Sequence, residues 1–125
     1  MKYLCSFIIC VCLVACSGPS GKKEKELATE EFINCNFYSA METAQQAIDY
    51  AGEDINIKMP ALLILGKSAD ILDQPILAQS AYEKIVALAP GVSDIPQAKE
   101  IANNFVSSLS EFTPEKVKNC PALQG

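Results

Sequence analysis

Between Phe37 and Ala51 the apolar and small residues fall three and four apart: Phe37, Ala40, Met41, Ala44, Ala47, Ile48 and Ala51. That spacing lines one stripe of an α-helix, and no segment of the chain sustains the period-two alternation of a half-buried strand. Chain breakers then divide the helical pattern. Gly52 offers a C-terminal stop. Pro60 fits the first turn of a second helix reading A-L-L-I-L-G-K-S-A-D-I-L, which Asp73-Gln74-Pro75 ends. Pro75 opens a third helix over residues 76–88, and Pro90-Gly91 terminates it. Ser93 or Asp94 can cap a further helix carrying Ile101, Ala102, Phe105, Val106 and Leu109. The pattern is already helical from Leu27, and Thr113-Pro114-Glu115 starts a last short turn before Cys120-Pro121. The expectation is an all-α domain of about five helices.

Within it, Leu62, Leu65, Gly66, Ala69, Ala78, Tyr82 and Pro90 keep the offsets W-x2-L-G-x2-Y, then A-x3-F, then P. Residues 59–92 therefore resemble one tetratricopeptide repeat, with Leu62 replacing the tryptophan and Ala69 the tyrosine. Gly66 and Ala78 are small where two antiparallel helices would cross, and Tyr82 would fill the space beside them. A degenerate copy lies upstream, in Leu27-Ala28 followed by Ala40, Ala44 and Ala47. Its offset of 38 residues makes residues 55–58 an insertion of four. Ile101-Ala102 and Phe105 match only the first half of a unit. The resemblance implies about two helical hairpins and a capping helix. Such arrays usually need about three units, so the alternative is a closed helical bundle.

The N-terminus reads differently. Met1-Lys2 carries one positive charge, and residues 3–15 are apolar apart from Ser6. A helix of that run would be about 20 Å long, short of a hydrocarbon core of about 30 Å, and the layout is that of a signal peptide. It ends in L-V-A-C, which resembles the lipobox of bacterial lipoproteins. The resemblance implies cleavage before Cys16, acylation of its thiol and amine, and, with Ser17 following, residence on the periplasmic side of the outer membrane. Residues 1–15 would be the signal peptide, 16–26 (S-G-P-S-G, then K-K-E-K-E) a flexible tether, 27–120 the domain and 121–125 a tail. Of the six cysteines, Cys5, Cys10 and Cys12 would leave with the signal peptide and Cys16 would carry lipid. Cys35 and Cys120 remain, an even pair in an exported chain, and are expected to form a disulfide. Residues 113–120 reach about 26 Å when extended, enough to run back across the array.

Chemistry is sparse. There is no histidine or tryptophan, so the usual general base is missing, and two thiolates alone do not complete a tetrahedral zinc site. No phosphate-binding glycine loop or nucleophile elbow occurs. The processed chain would carry a net charge of about −6 without arginine, a poor match for nucleic acid. No enzyme activity, cofactor or metal is expected. The tetratricopeptide resemblance instead implies a groove on the inner helices for a peptide-like segment of another envelope protein. Carried over by position, that groove would present Lys25, Thr29 and Phe32, then Leu63, Lys67 and Asp70, then Lys99, Asn103 and Val106. The lysines would grip carboxylates while Phe32 and Leu63 take apolar side chains. A lipid-tethered assembly scaffold, pilotin-like in its sharpest form, is the expected role; an inhibitory, immunity or exclusion lipoprotein is the alternative.

Overall fold

The computed structural model describes residues 20–112, with side chains as far as residue 109. The expected signal peptide, the expected lipidation site Cys16, the turn expected after Thr113, Cys120 and the expected tail all lie outside the described residues. Five helices follow in order: α1 (Lys22–Ile33), α2 (Phe37–Ala51), α3 (Ile55–Ile71), α4 (Pro75–Leu88) and α5 (Ile95–Phe112). Among the described residues there is no strand, and no helix is long and apolar enough to cross a membrane.

α1–α2 and α3–α4 are two hairpins built alike. Each first helix ends in the same three-residue turn. The amide of Asn36 donates to the Glu31 carbonyl and that of Cys35 to Phe32; in the second hairpin Gln74 donates to Ala69 and Asp73 to Asp70. These are the paired bonds of a Schellman ending, which requires a left-handed residue one position past the cap. Cys35 (φ 67°) and Asp73 (φ 56°) supply it, 38 residues apart. The turns therefore carry the same offset as the small residues in the sequence.

The close helix crossing is also present. A Cβ placed on Gly66 would stand 2.8 Å from the ring of Tyr82, which is 1% exposed. In the first hairpin Ala28 and Ala44 hold the matching places, both fully buried. Where the facing residue is only alanine, a methyl fits. Gly66→Ala is accordingly expected to destabilise the protein. A helical Gly→Ala change otherwise gains about 0.5–1 kcal/mol, but overpacking against a ring held on all sides costs about 1–3 kcal/mol. A lower midpoint in urea denaturation, with an unchanged slope, is the result that checks it.

Three sequence expectations need correction. The charged run Lys22–Glu26, assigned to the tether, is the first turn of α1. Lysine and glutamate are good helix formers, Lys22 and Glu26 stand four apart, and the left-handed Gly21 (φ 89°) turns the chain into the helix. Second, α3 starts at Ile55, not near Pro60: the Asp54 side chain accepts from the Asn56 amide, and the supposed four-residue insertion is an added first turn. Pro60 sits inside that helix, where it removes one bond to the carbonyl of Asn56, a residue exposed to water. Third, α5 does not run parallel to α3, as the first helix of another repeat would. Its start shares a recess with Asp70 and its end reaches Pro60, so it runs back along α3. Its own start is capped as expected, the Asp94 carboxylate accepting from the Gln97 amide at 2.9 Å.

α3 is consequently the central helix, packed against all four others. Residues 61–66, 68 and 69 are all buried, which explains why its apolar run is continuous and not a stripe. The expected stripe of α2 is buried at every position except Met41, which is partly covered.

Candidate binding groove

α1 and α5 flank α3 on the side away from α2 and α4, and between them runs a strip of polar and apolar side chains. At one end a recess of about 350 Å³ is lined by Lys25, Glu26 and Thr29 of α1, Pro60 of α3, and Phe105 and Leu109 of α5. The Thr29 hydroxyl donates to the Lys25 carbonyl at 2.9 Å, leaving its lone pairs for a ligand. Mid-strip, Lys67 Nζ donates to Asn103 Oδ1 at 2.8 Å, tying α3 to α5. At the far end a second recess of about 340 Å³ is lined by Asp70, Pro75, Ala78, Gln79, Ile95 and Lys99.

Tyr82 is buried and touches two residues of that second end. Its hydroxyl donates to Asp70 Oδ2 at 2.6 Å, and Lys99 Nζ stands 5.7 Å from its ring centroid. Burial, followed by the hydrogen bond and negative charge of Asp70, pushes the phenol far above its usual value of about 10. Tyr82 thus stays a neutral donor throughout the physiological range. It fixes the Asp70 carboxylate in place and offers Lys99 a π face, which holds an anion and a cation at one recess without a direct bond between them.

The sequence-derived groove residues separate into two groups. Lys25, Thr29, Lys67, Asp70, Lys99 and Asn103 all reach the strip. Val106 is half-buried and packs against the core. Phe32 and Leu63, expected to take apolar side chains from a partner, do not face the groove: they are 1% and 5% exposed. The tight turn after Ile33 folds Phe37 back onto the last turn of α1, and the two rings meet edge-on at 5.3 Å. Leu63 is enclosed because α3 is central. The apolar lining comes instead from Pro60, Phe105 and Leu109. Phe105 and Leu109 stand four apart, a helical pairing visible in the sequence, but the resemblance matched Phe105 to the first half of a unit and left Leu109 out.

A third recess, of about 460 Å³, lies where α4 meets the start of α5, lined by Glu83, Val86, Ser93, Asp94, Ile95 and Pro96. Nothing in the sequence pointed to it. Among the described residues no cluster of three or more His, Cys, Asp or Glu side chains is arranged to hold a metal ion. No protein-family model, curated protein or solved structure matches the chain.

Proposed function

We propose that the protein is an envelope lipoprotein, anchored through acylated Cys16 and facing the periplasm. It acts as an assembly scaffold that takes a peptide-like segment of another envelope protein along the α1–α3–α5 strip. One observation carries this reading: the recess that presents Pro60, Phe105 and Leu109 also presents Lys25 and Thr29, and Lys67 and Asn103 stand farther along the same two helices, α3 and α5. A segment carrying an aliphatic side chain and a nearby carboxylate matches that arrangement. The outer membrane is the proposed site of residence, because serine follows Cys16. A pilotin-like escort of a secretion or pilus subunit is the specific form proposed.

The test is a titration of the partner, recovered from detergent-solubilised envelopes, against single-lysine variants. Lys25→Ala and Lys67→Ala are expected to lose about tenfold or more in affinity, since a charge-assisted hydrogen bond in a partly covered site contributes about 1.5–3 kcal/mol. Lys84→Ala, exposed on α4 away from the strip, is expected to bind like wild type. Equal affinities for all three would move the binding face elsewhere.

A further inference from the structure

Gly21 sets how far the folded body can stand from Cys16. It is buried at φ 89°, and a Cβ there would lie 2.6 Å from the Ala47 carbonyl oxygen, 3.1 Å from Ile57 Cγ2 and 3.2 Å from the Ala51 amide. The chain is therefore already seated between the end of α2 and the start of α3 at residue 21, and α1 begins at once. Only residues 17–20 separate this point from Cys16. Five Cα–Cα steps span at most about 17 Å. With the headgroup layer taking about 5–7 Å of that, the remaining reach is on the order of one helix diameter.

The end of the bundle that this short connection holds down comprises the start of α1, the α2–α3 turn and the start of α3. Its surface carries charges of both signs together with large apolar side chains. Lys22 and Lys23 are exposed, and two large apolar side chains flank the turn, Tyr50 at 46% and Ile55 at 44% exposure. Of the carboxylates nearby, that of Asp54 is engaged in capping α3, while Glu24 stands between Lys23 and Lys25, and Asp49 and Glu53 are exposed beside the turn. Lys58 completes the turn by donating to the Gly52 carbonyl at 3.1 Å. Tyrosine suits the boundary between headgroups and acyl chains, and lysine pairs beside a bilayer meet anionic lipid.

We infer that this end of the bundle docks on the headgroup layer of the bilayer holding the anchor, with Tyr50 and Ile55 entering it and Lys22 and Lys23 meeting lipid phosphates. The inference rests on the lipid-anchor reading above. It also fixes orientation. α1 is 12 residues long, so the opposite end, with both Schellman turns and the exposed Tyr38, Ile76 and Leu77, stands about 18 Å farther out. The recess at Lys25 and Pro60 opens beside the membrane.

The chain has no tryptophan, so one introduced indole is an unambiguous reporter. Full-length protein carrying Ile55→Trp or Ile76→Trp would be purified after processing. It would then be reconstituted in phosphatidylethanolamine–phosphatidylglycerol vesicles containing lipid brominated near the headgroup. Ile55→Trp is expected to be quenched at least severalfold more than Ile76→Trp, and adding Lys22→Glu and Lys23→Glu should reduce that quenching. Tyr50→Trp is the second reporter at the same end should Ile55→Trp fail to give a helical circular dichroism spectrum. Equal quenching at the two ends, or none at either, overturns the docked orientation. Acyl labelling of the same preparations separates the two readings: unlabelled protein overturns the anchor, whereas labelled protein with unquenched Ile55→Trp overturns the docking alone.

Discussion

Cys16→Ser is expected to abolish acyl labelling, leave an unprocessed precursor and release the protein from the washed outer-membrane fraction. The size of the effect follows from chain counting. Each buried methylene contributes about 0.8 kcal/mol; a single acyl chain holds a protein only marginally, but the two or three attached to a processed lipoprotein cysteine make anchoring effectively permanent. Nothing else described in the domain substitutes for that anchor. No described helix is long and apolar enough to cross a membrane, and two lysines with two exposed apolar residues hold a surface only weakly. The variant should therefore move between fractions almost completely. Metabolic labelling with a radioactive fatty acid, followed by fractionation, reads both outcomes. Labelled Cys16→Ser protein that fractionates like wild type would remove the lipid anchor from the account.

The second large effect is expected at Cys35, which takes part in a disulfide. Its backbone lies in the left-handed region at φ 67°, where a side chain other than Gly, Asn or Asp costs about 1–2 kcal/mol. The matching turn of the second hairpin uses Asp73, a residue that tolerates this conformation. A cysteine there is a locally poor choice, offset by its cross-link. Pairing with Cys120 would close a loop with 84 residues between the two cysteines, restricting the unfolded chain by about 4–5 kcal/mol in the chain-entropy treatment. Cys35→Ser is expected to lower the thermal midpoint by on the order of 15 °C or more. Cys35→Gly should fall less, because it also relieves the backbone. Non-reducing peptide mapping should recover Cys35 linked to Cys120. A Cys35→Ser midpoint equal to wild type would show that the cross-link contributes nothing to stability.

Local rules were read well from the sequence where one side chain decides the outcome. Pro75 opens α4, Gly52 ends α2, Asp94 caps α5, and Gly66 accommodates Tyr82. Each depends on geometry within a few residues or on one helix crossing. The misreadings have a different origin. Pro60 reads as a helix start because its missing N–H costs nothing there. It is tolerated five residues later only because Asn56 faces water, which no local pattern reveals. Groove membership was harder still. Phe32 and Leu63 were assigned by the register of an open array, but α5 reverses and leaves α3 enclosed. The direction of α5 is decided by how the six residues 89–94 route the chain, a tertiary outcome that helical periodicity cannot carry.

The unequal pairs at the two helix crossings bear on how a chain with two such similar hairpins keeps them apart. If α1 were to pack on α4, the methyl of Ala28 would meet the Tyr82 ring where Gly66 leaves room. If α3 took the place that α1 holds against α2, Gly66 would face Ala44 across an unfilled gap. Both exchanges are penalised, one by collision and one by a void. The same two residues therefore bias α1 and α3 each toward its own partner helix as the chain folds.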